Sequence, residues 1–159
     1  MRLLLIALLL IGVTSAGANQ AMTEAVNALR HSVGLPNLTP VDALTRAAAR
    51  HAAYLDQPRV PTSLASATPA GDSAHRQRPE RDGFSGETPA ARAVAAGYPH
   101  KRVLENVSMG YADTAAALDG LMSAIYHRLT FLDLRADQLG VAVGERSRVF
   151  MLGRSDVAG

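Results

Sequence analysis

The chain has 159 residues, 48% of them apolar, and carries 16 basic against 14 acidic side chains for a net charge of +2. That length suits a single hydrophobic core, and the near-balance of charge excludes the footprint of a nucleic-acid binder. The basic residues are scattered apart from Arg76, Arg78 and Arg81, with no aromatic side chains interleaved. Cysteine is absent, which excludes both a disulfide framework and a lipoprotein anchor, so the core alone must hold the fold.

Arg2 is the only early charge, and the residues from Leu3 to Val13 are apolar apart from one glycine. A charged start, an apolar run too short to span a bilayer, and the small residues Thr14, Ser15, Ala16, Gly17 and Ala18 form the pattern of a signal peptide. The expected division is therefore a signal peptide over 1–18, cut after Ala16 or Ala18, and one domain over 19–159. The location that follows is secreted or periplasmic, with no transmembrane anchor.

Met22, Val26, Leu29 and Val33 recur at helical spacing, and Gly34 supplies a stop. Thr39, Pro40, Val41 and Asp42 read as a cap, a proline at the first helical position and an acidic third residue. A second helix is expected from there to about Tyr54, with Leu44, Ala47, Ala48, Ala52 and Leu55 along its buried stripe. Residues 57–86 have no sustained period and form a long loop, whose 61–71 part is expected to be mobile.

Thr88 and Pro89 repeat the cap-and-proline signal for a short helix that Gly97 ends. A fourth helix is expected from about Asp113, burying Leu118, Leu121, Met122 and Ile125. Residues 139–143 and 148–152 read as two strands of an antiparallel hairpin, joined by a turn over 144–147, and 104–109 as a third strand. Helices first and a small sheet after them make the fold class α+β.

The ordered set of residues resembles a known family. Asn27 to Arg30, Gly34, Leu35, Leu38 to Asp42 and Leu44 to Ala48 look like its opening. His75, Phe84 to Gly86, Arg92, Gly97, Tyr98, Glu105 to Val107 and Gly110 continue the pattern, and Leu121 to Arg128, Leu132 and Leu139 to Gly144 close it. These residues resemble the CAP superfamily of cysteine-rich secretory, antigen 5 and pathogenesis-related proteins, in its bacterial, cysteine-free branch. The resemblance implies an exported α-β-α sandwich, a small antiparallel sheet flanked by helices, with a polar cavity lined in the wider family by two histidines and two acidic residues. Carried over, His75 and His127 match the histidines and Glu105 the first glutamate. The second acidic position falls at about Ala124, so the cavity is a reduced one.

Two imidazoles and a carboxylate are ligands that a divalent cation such as zinc accepts, with a fourth position left for water. His75, Glu105 and His127 are thus the candidate metal ligands and the candidate catalytic residues. Each also has a plainer reading: His127 as a charge at a helix C-terminus, Glu105 as a salt-bridge partner of Arg92 or Arg128, and His75 as an exposed loop histidine. His31, His51 and His100 read as surface residues, although His51 lies on a helix and could pack inward. Ser85 lacks the strand-to-helix elbow of a serine nucleophile. The leading expectation is a secreted binding or effector module whose cavity holds a divalent cation or small polar ligand and whose partners are a small ligand, lipid, glycan or protein. The alternatives are an extracellular metal-dependent hydrolase using the same cavity, and a structural protein of the envelope with no site.

Overall fold

The computed structural model describes residues 15–58 and 73–156. Most of the expected signal peptide and the whole of the 61–71 loop lie outside the described residues. In chain order the elements are α1 (Ser15–Ser32), β1 (Thr39–Pro40), α2 (Asp42–Leu55), α3 (Pro89–Ala95), β2 (Leu104–Met109), α4 (Thr114–Ser123), α5 (Ile125–Phe131), β3 (Gln138–Val143) and β4 (Ser147–Gly153).

The strands form one sheet in the order β1-β3-β4-β2. β4 pairs antiparallel with both β3 and β2, as the hairpin pattern implies. The short β1 pairs parallel with β3, which makes the sheet mixed. Alternation along the strands divides the core in two. Val107, Met109, Ala142, Val149 and Met151 pack under α2 and α3. Leu139, Val141, Phe150 and Leu152 pack with Met22 and Val26 of α1, Leu118 and Leu121 of α4 and Phe131 of α5. The result is a helix-sheet-helix sandwich.

α2 lies close to the sheet because its stripe is mostly alanine. Gly140 completes that approach: a Cβ there would stand 2.2 Å from the Leu44 carbonyl carbon and 2.3 Å from the Thr45 nitrogen.

Three sequence readings are corrected. Thr39 and Pro40 do not open α2; the Thr39 nitrogen donates to the Asp137 carbonyl and the pair forms β1, while α2 starts at Asp42 with no side-chain cap. Val33 is exposed, because α1 stops at Ser32 and Gly34 turns the chain at φ +79°. The fourth helix is two helices, parted at Ala124, whose ψ of 122° is extended. Ile125 therefore leaves the buried stripe and faces out. Arg128 Nε donates to the Met122 carbonyl at the break. The cap at Thr88 stands where the sequence put it, accepting from the Ala91 nitrogen, and Asp113, where the fourth helix was expected to begin, caps α4 by accepting from the Ala116 nitrogen.

Arg30 ties the second layer together. Fully buried, its guanidinium donates to the carbonyls of Pro36, Phe131, Asp133 and Ala136. It thereby joins the end of α1 to the end of α5 and the turn into β3.

Candidate functional site

Glu105 is the second residue of β2, and alternation turns it toward the α2–α3 side of the sheet while Leu104 and Asn106 face α5. Its carboxylate is buried, so it needs donors, and α3 brings one. Arg92 Nη2 lies 2.9 and 2.7 Å from the two carboxylate oxygens, and both side chains are almost wholly out of solvent. Of the two arginines proposed as partners for Glu105, the structure selects Arg92.

The same guanidinium orders the loop above it. Nη2 donates to the His75 carbonyl, and Nη1 to the carbonyls of Gly86 and Glu87. Gly86 passes too close to α3 for a side chain, since a Cβ would meet the Arg92 nitrogen at 2.7 Å.

His75 is held by this arrangement rather than loose in its loop. Its Nδ1 is 3.0 Å from Glu105 Oε1, and an ionised carboxylate can only accept, so Nδ1 carries the proton and Nε2 keeps a lone pair. His51 lies behind Glu105, fully buried on α2. Its Nε2 donates to the Ala74 carbonyl and its Nδ1 accepts from Gln77 Nε2, with Glu105 Oε1 at 3.7 Å. Burial pushes the His51 imidazole down to about 4, against the pull of Glu105. It is a neutral wedge at pH 7. Burial alone would push the Glu105 carboxyl up, but His75, His51 and Arg92 together hold it below the usual carboxylate range.

His127 arrives from the other layer. It sits within the short α5, which Asn106 pins to β2 by donating Nδ2–H to the His127 carbonyl at 2.9 Å. Partial burial, and then the charge that His75 carries when protonated, lower its pKa. It is not at the C-terminus of α4.

Sequence reasoning did not find Gln77, left His51 open between surface and interior, and named Arg92 only as one of two partners for Glu105. His51 follows Leu44, Ala47 and Ala48 at helical spacing, and that register was the signal that it packs inward. Arg92 stands beside the buried Ala93 in a capped helix, but nothing local marks it as the hub. Gln77 gives its Oε1 to the Ser85 nitrogen and hydroxyl, which occupies the one serine that had been weighed as a nucleophile.

This arrangement of loop, strand and helix is accompanied by a match over the length of the domain. The profile of the cysteine-rich secretory protein family, CAP, matches residues 23–151. The chain belongs to that family. Comparison with curated proteins returns no match. Among solved structures, this CAP chain is similar to an extracellular protein containing an SCP domain from Bacillus anthracis, at 19% identity and a TM-score of 0.72 over 89% of this chain. It is similar to an outer surface protein from Borrelia burgdorferi at 16% identity and a TM-score of 0.69, also over 89%. A cysteine-rich secretory protein from Staphylococcus aureus follows at 17% identity and 0.59 over 87%. This chain spans 95% of the Borrelia protein but only 41% and 38% of the Bacillus and Staphylococcus proteins. What they share with it is the CAP fold.

The zinc reading can be tested against the residues. Glu105 already gives both oxygens to Arg92, and the second acidic position is Ala124, an exposed residue at the helix break. Among the described residues no three His, Cys, Asp or Glu side chains are grouped to hold a metal ion. A cation at Glu105 would have to share oxygens that already accept from Arg92 and His75. The residues fit a three-ligand zinc centre poorly.

Proposed function

We propose that this CAP domain acts outside the cytoplasm as a binding module, taking a small hydroxyl-bearing ligand between His75 and His127. The observation that carries the reading is the bond from His75 Nδ1 to Glu105, which orients the ring and leaves Nε2 as an acceptor for a ligand hydroxyl. A neighbouring imidazole, His127, whose protonation partial burial disfavours, adds a second acceptor. Placement outside the cytoplasm is supported by the N-terminal pattern and by the extracellular and outer-surface proteins that share the fold. No helix among the described residues is long and apolar enough to cross a membrane.

Within this reading Glu105 and Arg92 are a structural base for the cleft. A hydrolase would need Glu105 as a metal ligand or base, and its bonds to Arg92 and His75 oppose that. Ring-carbon NMR of His75 and His127 during titration tests the proposal, with methyl glucoside as a neutral polyhydroxy probe, methyl phosphate as an anionic one, and zinc chloride alone. The expected result is saturable movement of both rings with methyl glucoside, lost in His75→Ala. Tight zinc uptake by both rings, with proton release, would replace this reading with a metal site.

A further inference from the structure

Exposed large apolar side chains are unremarkable when scattered and informative when they gather. Here Ile125 is 64% exposed, Tyr126 83%, Leu129 59% and Leu134 78%, all on α5 or just beyond it. Ile125 and Leu129 are one helical turn apart and share a face. Leu104, 40% exposed, lies on the side of β2 that meets α5. The only fully buried residue of α5 is Phe131.

Cations surround this face. Arg128 is on α5 itself, and past its C-terminal end a cavity of about 240 Å³ is lined by four cations, Lys101, Arg102, Arg135 and Arg154, against one carboxylate, Asp133, over an apolar floor that includes Leu152. Arg135 pairs with Asp133 and Arg154 with Asp156, whereas Lys101 and Arg102 form no salt bridge among the described residues. A second copy pressed against this face across a two-fold axis would set like charges on like. An anionic bilayer would neutralise them while its headgroup region accepted the apolar side chains.

We infer that α5 and the adjoining 101–104 and 133–136 segments form a peripheral docking surface for a membrane containing anionic phospholipid. A headgroup phosphate seats in the cavity beside Lys101 and Arg102, and Ile125, Tyr126, Leu129 and Leu134 enter the interface. Attachment is reversible, because a seven-residue helix buries little apolar surface. The surface does not depend on a ligand in the imidazole cleft.

Co-sedimentation with phosphatidylcholine vesicles, with and without phosphatidylglycerol, tests the inference. The folded protein is expected to bind only the anionic vesicles and to be released by high salt. The chain has no tryptophan, so a Tyr126→Trp variant carries a single indole whose emission should shift to the blue on binding. Lys101→Gln with Arg102→Gln should weaken binding about 25-fold, at about fivefold per cation. Ile125→Asp with Leu129→Asp should abolish it with unchanged circular dichroism, since both side chains lie outside the core. His75→Ala should bind vesicles like the parent, which separates this surface from the cleft. Equal binding to both vesicle types, no emission shift, or a vesicle-free dimer that buries the indole would overturn the inference.

Discussion

Arg92 meets Glu105 through a single nitrogen that bonds both carboxylate oxygens, and the same nitrogen reaches the His75 carbonyl. One buried contact therefore fixes both Glu105 and the loop that carries His75. Arg92→Met should leave Glu105 as a buried charge without its main partner, at a cost of about 3–5 kcal/mol. Adding Glu105→Gln to that variant should recover part of the loss. Urea denaturation of the two variants measures both effects.

Acid should weaken the fold well before ordinary carboxylates titrate. Below pH 6.5 an unfolded chain protonates His51, while the folded protein keeps that ring neutral down to about pH 4. The unfolded state then binds more protons, so stability falls with falling pH by up to about 1.4 kcal/mol per unit. Glu105, held below 4.5 in the fold, adds a second loss as pH drops through that lower value. Denaturation midpoints between pH 7 and pH 4 should decline, and His51→Gln should flatten the part between pH 6.5 and 4.5.

The two cleft histidines should report on each other. Burial and then His75 depress the titration of His127, so His75→Gln is expected to move the His127 midpoint up toward 6.5, with the burial contribution remaining. Ring-proton NMR against pH follows this directly. An unchanged midpoint would mean that the rings are farther apart than the cleft requires.

Gly140→Ala tests the packing of α2. The added methyl would meet backbone of the helix at 2.2 Å, and backbone cannot rotate away as a side chain can. The helix must lift off the sheet, so a loss of more than about 3 kcal/mol is expected, in the upper range for overpacking. Alanine at Gly34, where nothing lies within 4 Å of the new Cβ, should instead cost only the strain of its positive φ, about 1 kcal/mol.

Local patterns carried much of this fold. The strand over 104–109, the cap at Thr88 and the helix start near Asp113 depend on neighbours within a few residues, and the structure has them where the sequence put them. Thr39 and Pro40 imitate a helix start, and only Gln138 and Leu139, far along the chain, convert them to a strand. The break at Ala124 has no proline or glycine to announce it. In the cleft, family resemblance pointed to Glu105, but its commitment to Arg92 depends on how α3 is docked. No spacing rule encodes that docking.

The hydrogen bonds of Arg30 also set an order of events. A chain is synthesised from its N-terminal end, yet three of the carbonyl acceptors of Arg30 lie 101 to 106 residues downstream. α1 can form early, but the Arg30 guanidinium has no buried destination until residues 131–136 have been made, and β1 waits equally for β3. Closure of loops this long is slow. For most of its synthesis the chain would remain an unclosed intermediate, open to proteases and to holding chaperones, and it would become a native protein only when its last two strands arrive.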